Sequence, residues 1–165
     1  MCRTLTLWDT KIKIDDEGKA FRFHKRYNKW KRIDNIKPNN KGYIQVVLTN
    51  TERKRKSFQL HRLVYKAHYP IWNIMDNSMN NCIDHKDGNK TNNHIDNLRV
   101  VTHQENCFNR TKAKGYCFNK KVNKWQAYIK VDGKRIHLGY FDTEEEARQA
   151  YLDAKPNYHI IKDRI

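Results

Sequence analysis

The sequence predicts an α+β chain assembled from small modules rather than one large core, and three observations carry that prediction. Up to residue 60 short alternating stretches are separated by turn residues. From Cys82 a strand, a long Asn-rich turn, a second strand and a capped helix succeed one another. From Trp125 a strictly alternating hairpin leads into a helix with small residues on one side. A chain of 165 residues divided this way leaves each module with too little buried surface to be rigid alone.

The first module, residues 1–60, reads as strands over Lys11 to Ile14, Ala20 to Phe23 and Gly42 to Leu48, with a turn at Asp16-Glu17-Gly18 and a polar stretch to Asn40. Arg53-Lys54-Arg55-Lys56 interrupts that pattern as a hairpin tip, solvated or set against phosphates. Leu60, Leu63, Val64 and Ala67 then recur at helical spacing, and Pro70 bounds the short helix from His61 to Tyr69. His61 opens that helix, placed either to face the hairpin that follows or simply to pack, the commoner role of a helix-terminal histidine. Residues 71 to 80 form a connecting loop anchored by Ile71 and Trp72.

The second module, residues 61–110, holds the chemistry. Cys82 to His85 is β-compatible, Lys86 to Asn97 is rich in Asn, Asp and Gly, Leu98 to Val101 is extended again, and Thr102 with Glu105 makes a capping box. The helix thus started carries Asn106 back toward Asp84 and His85. Hydrolysis of a phosphodiester needs an activated water and a cation to absorb charge on the leaving oxygen. Asp84 and Asn106 offer hard oxygen donors suited to Mg²⁺ or Mn²⁺, and His85 titrates in the range where it can take the proton of that water. Neighbours on a strand point to opposite faces, so Asp84 and His85 need a bend to converge.

With these residues in place the segment resembles the HNH, or ββα-metal, nuclease family, and within it the homing endonucleases of mobile introns. His61-Arg62-Leu63-Val64, Asp84-His85-Lys86-Asp87-Gly88-Asn89-Lys90, Asn92-Asn93, Asn97-Leu98-Arg99 and Val101-Thr102 carry the resemblance. It implies that His85 is the general base and that Asp84 and Asn106 bind the divalent metal. Asn97 would be the middle Asn, which orders the loop and holds the histidine. Asn106 stands where many members have a last His. His94 and His103 fall outside the pattern.

The third module, residues 111–158, alternates Trp125, Ala127, Ile129 and Val131 with Gln126, Tyr128 and Lys130, turns at Asp132-Gly133, and alternates again through Arg135, Ile136, His137 and Leu138. Thr143 and Glu146 make a second capping box, and Ala147, Ala150, Tyr151 and Ala154 give the helix a stripe that approaches a sheet closely. The expectation is a three-stranded antiparallel sheet covered by one helix, its basic face free to enter a DNA groove. Lys114 to Lys155 resembles the Apetala-two/ethylene-response-factor DNA-binding domain, through Gly115-Tyr116, Trp125-Gln126-Ala127, Gly133-Lys134-Arg135, Leu138-Gly139-Tyr140-Phe141-Asp142-Thr143 and Glu146-Ala147. By that resemblance Lys114, Asn119, Lys121, Tyr128, Lys130, Arg135 and His137 contact DNA. Cys117 and Asn119 replace Arg of the plant domains, so the plant target does not transfer.

A formal charge of +16, spread from Lys11 to Arg164, fits a polyanion and not a small-molecule substrate. No stretch is apolar enough for a signal peptide or a membrane span, and the four cysteines lack C-x-x-C spacing, so an intracellular protein with free thiols is expected. The partner implied is double-stranded DNA. The protein would be a monomer that nicks, or a transient dimer on DNA that cuts both strands. Two other readings stay open: a DNA-binding regulator whose nuclease unit has lost its chemistry, and an RNA-binding protein that stacks bases on Trp and Tyr.

Overall fold

A computed structural model of the chain describes residues 1–110 and 113–162. Thr111 and Lys112, at the expected start of the third module, lie outside the described residues. The fold is α+β with small antiparallel sheets, and the chain packs as two compact units, one covering Met1–Val100 and the other starting at Val101. The division falls inside the span 61–110. Among the described residues no helix is long and apolar enough to cross a membrane.

The first unit opens with four strands, β1 (Cys2–Leu7), β2 (Thr10–Asp15), β3 (Ala20–His24) and β4 (Lys29–Arg32), in the order β1-β2-β3-β4. Trp8 and Asp9 both have positive φ, 52° and 55°, so β1 and β2 are joined by a two-residue turn whose twist matches the strands. Alternation dictates the faces: Ile12, Ile14 and Ala20 are buried while Lys11 points outward. The sequence pattern did not reveal β1 or β4. Both are edge strands, and Lys29 to Arg32 carries one apolar residue, so a period of two leaves little hydrophobic trace there.

A second hairpin joins β5 (Gln45–Thr49) to β6 (Arg55–Gln59). The basic run is therefore divided: Arg53 sits at the tip with φ 62°, and Arg55 and Lys56 already belong to the strand. Helix α1 (Leu60–His68) follows directly and buries Leu60, His61, Leu63, Val64, Tyr65 and Ala67. The loop after it departs from expectation. Ile71 is fully exposed, whereas Trp72 packs against the core as expected and Ile74 is buried beside it. Arg62 adds to this: its guanidinium donates to the carbonyls of Ile74, Asp76 and Asn81, at 2.7 to 3.1 Å, and fixes the loop by its backbone as well as by its apolar side chains.

Strand β7 (Cys82–His85) pairs with β8 (Leu98–Val101) as a separate two-stranded sheet. Ile83 and Leu98 join the same core as Ile12, Ile14, Val46, Leu48, Leu63 and Val64, so hairpin and N-terminal strands support one another. Each such fully buried aliphatic side chain contributes about 1.5–3 kcal/mol.

In the second unit α2 (His103–Phe108) starts at the expected capping box, with Thr102 accepting from the Glu105 amide and Glu105 accepting from the Thr102 amide. The sheet runs β11-β10-β9, where β9 is Tyr116–Asn119, β10 is Lys124–Val131 and β11 is Lys134–Phe141. Asp132 and Gly133 turn β10 into β11 with φ of 50° and 77°, the turn their sequence demands. Helix α3 (Glu144–Tyr158), capped by Thr143 and Glu146, presses Ala147 and Tyr151 onto the sheet. Gly115 is required by that contact: a Cβ there would fall 2.1 Å from the Tyr151 ring.

Candidate active site and nucleic-acid interface

Asp84 and His85 end β7, and both are buried, at 5% and 4% exposure. Strand pairing alone would send them to opposite faces, but His85 is the last residue before a tight turn in which the Gly88 amide donates to its carbonyl at 2.8 Å. Beyond that turn the loop is closed by side-chain amides. Asn97 accepts from the Asp87 amide at 3.1 Å and donates to the Asp87 carboxylate at 3.0 Å and to the Asn92 carbonyl at 2.8 Å. Asn89 and Asn92 add further bonds to Asp87.

The amide bonded to the imidazole is that of Asn93, whose Oδ1 lies 3.3 Å from His85 Nε2. Asn93 is itself buried, and its Nδ2 donates to the Thr91 carbonyl, which fixes the amide so that oxygen faces the ring. The neutral tautomer then carries its proton on Nε2 and its basic lone pair on Nδ1. Asn97 thus bonds across the loop to Asp87 and Asn92, and Asn93 bonds the histidine.

Burial lowers the His85 pKa below the usual imidazole value, against the opposing pull of Asn93 and of the Asp84 and Asp87 charges. His61 stands edge-on to His85, ring centroids 5.1 Å apart, and Tyr43 packs against both rings. Burial, then the His85 and Arg62 charges, push the His61 pKa down to about 3. Both imidazoles are therefore neutral at pH 7, as a general base must be.

Asp84 Oδ2 accepts two bonds from the Arg99 guanidinium, at 2.8 and 3.0 Å. Arg99 sits on β8 and balances this buried carboxylate. Among the described residues no group of three or more His, Cys, Asp and Glu side chains is placed to hold a metal ion. A single carboxylate can still serve a hard cation, since Mg²⁺ takes most of its shell from phosphate and water oxygens. Asn106 lies on α2 in the second unit, half-buried. His94 caps the turn at Asp96, and His103 meets the Cys107 thiol, 3.8 Å away.

The supporting residues are the ones that sequence reasoning missed. Asn93 and Arg99 lie within the motif, but spacing alone assigns them no role; His61, placed at the start of α1 where it can face the hairpin, does meet His85. Gly18, in the turn between β2 and β3, touches the loop directly: with φ +80°, its Cβ would lie 2.5 Å from the Asn93 carbonyl oxygen. The Ile95 amide also donates to the Asp16 carbonyl at 3.0 Å, so the N-terminal sheet braces the Asn-rich loop.

In the second unit the pairing Tyr128 with His137, Lys130 with Arg135 and Asn119 with Lys124 puts these side chains on one face, away from α3. A bulge after Ala127 inserts Leu138 and shifts the alternation, so Gln126 pairs with Tyr140 on the same outer face. Arg135 stacks on the Tyr128 ring at 4.1 Å, and Gln126 meets His137 at 3.1 Å. Five of the seven expected contact residues thus share a surface, Asn119, Tyr128, Lys130, Arg135 and His137, while Lys121 occupies the following turn and Lys114 precedes β9.

The chain is 37% identical over 71 residues to a SPbeta prophage-derived protein of Bacillus subtilis named as an HNH homing endonuclease, covering 43% of this chain and 38% of that one. It is 33% identical over 97 residues to an uncharacterized HNH endonuclease of Acanthamoeba polyphaga mimivirus, covering 56% and 49%. An ethylene-responsive transcription factor-like protein of Arabidopsis thaliana is 43% identical over 51 residues, 27% of this chain and 23% of that one. The chain therefore spans less than half the length of these relatives. No solved structure gives a significant match. Over residues 58–107, the span that holds Asp84, His85, Asn97 and Asn106, the chain matches the HNH endonuclease family.

Proposed function

We propose that the protein is a metal-dependent, sequence-tolerant DNA endonuclease of the HNH homing type. One observation carries the reading: a buried, neutral His85, oriented by Asn93 and adjacent to the buried Asp84 carboxylate, inside the family match. His85 Nδ1 takes a proton from the attacking water, and Asn93 and His61 keep the ring in place as charge develops on it. Asp84 is the proposed carboxylate ligand of Mg²⁺ or Mn²⁺, with the Asn106 amide as second donor by the family pattern. When bound, the cation supplies charge stabilisation to the leaving oxygen. Asn97 holds the loop that presents His85.

The outer face of β9, β10 and β11 is proposed to grip duplex DNA as an Apetala-two/ethylene-response-factor-type sheet, and the likeness to the Arabidopsis protein supports this. One constellation per chain cuts one strand per encounter, so a monomer nicks and paired copies cut both strands.

A second reading has one observation in its favour: Asp84 is already neutralised by Arg99, as in a non-catalytic DNA-binding regulator that keeps the fold. Supercoiled plasmid decides between them. Nicking with Mg²⁺ that stops in EDTA and in His85→Ala supports the nuclease; tight binding without nicking in Mg²⁺ or Mn²⁺ supports the regulator.

A further inference from the structure

The outward face of the N-terminal sheet has no part in the site described above, and its chemistry is specific. Register places Phe21 opposite Lys13 on one side and Arg32 on the other, and Phe23 opposite Trp30, all facing away from the core that takes Ile12, Ile14 and Ala20. Phe23 and Trp30 meet edge to face, centroids 5.3 Å apart. Lys11 lies 5.8 Å above Phe23, and Lys13 lies 5.5 Å from Phe21 and 5.1 Å from Trp30. Asp15, at the end of β2, is the one acidic residue in the four strands.

Lysines alone would serve any polyanion, and a duplex would ask for no more, because its bases are stacked inside. Rings on an open sheet face, interleaved with ammonium groups, offer π-surfaces to bases with no partner and charge to the phosphates between them. The geometry points to a stacking platform for single-stranded nucleic acid on this face, with Phe21, Phe23 and Trp30 as base contacts and Lys11 and Lys13 as phosphate contacts. None of these residues belongs to the site at His85, so the platform stands whether or not the chain is a nuclease.

Fluorescence anisotropy of a labelled oligothymidine, and of a duplex of equal length, measured with the full chain tests it. Phe23→Ala with Trp30→Ala should weaken single-strand binding roughly tenfold or more while duplex binding stays within twofold. Lys11→Gln with Lys13→Gln changes only surface charge, so it covers the case in which the ring variant fails to fold. It should flatten the salt dependence of single-strand binding by roughly 0.7 per lysine in the log–log slope. Plasmid nicking should persist in both variants. Equal loss of both substrates in the folded ring variant, or unchanged single-strand binding and salt slope in the lysine variant, would overturn the proposal.

Discussion

Asn93 and His85, eight positions apart, meet at 3.3 Å because the loop between them folds back on the strand end. This makes Asn93 a positioning residue. Asn93→Ala should lower kcat roughly a hundredfold, the cost of a reacting group misplaced by about an ångström, and leave KM nearly unchanged. Asn93→Asp, which keeps the acceptor oxygen, should recover part of the rate and move the acid limb of the pH–rate profile upward, since a carboxylate favours the charged imidazole. A parallel fall in substrate affinity would contradict the assignment.

His85→Ala removes the base itself. Single-turnover cleavage should fall by roughly 10²–10⁴, the usual contribution of a general base, while binding of intact duplex changes little. Unchanged turnover would transfer the role to another group.

Gly18→Ala carries the N-terminal sheet's support of the site into a measurable quantity. The added methyl meets the Asn93 carbonyl oxygen at 2.5 Å in a backbone region that side chains avoid. Thermal unfolding should show a loss of more than about 1 kcal/mol. Cleavage by the remaining folded protein should drop along with it, because the displaced residue holds His85.

Acid stability reports on His61. Its folded-state pKa of about 3 lies below the unfolded value of 6.5, so between those limits the unfolded chain binds more protons. The stabilisation is complete above pH 6.5 and is lost progressively as pH falls toward 3, on the order of a few kcal/mol in all. Urea unfolding of His61→Leu should vary less with pH over this window than that of the unaltered protein. Identical slopes would mean that the ring is hydrated.

On the C-terminal sheet, Arg135→Ala and Lys130→Ala should each weaken duplex binding and reduce its salt slope by about 0.9 for each phosphate that is no longer neutralised. If Arg135, stacked on Tyr128, contacts a base edge, its removal should also relax the preference at one position of the site, by roughly 1–3 kcal/mol. A cleavage map that does not change would exclude the sheet as reader.

Much of this molecule is determined locally and is therefore legible in the sequence. The two capping boxes, the Asp132-Gly133 turn, the burial stripe of α1 and the strictly alternating β10 depend on residues a few positions apart, and each forms where its pattern lies. The residues Asp84 and His85 were legible too, as a motif. Their support was not. Arg99 reaches Asp84, Asn93 reaches His85 and Gly18 reaches Asn93 across separations that depend on strand register and loop path. Those are settled by burial of Ile12, Ile14, Ile83 and Leu98 in one shared core, a collective event with no signature in any short window. The sequence by itself determined which groups could do chemistry; packing decided which of them are buried and which partners orient them.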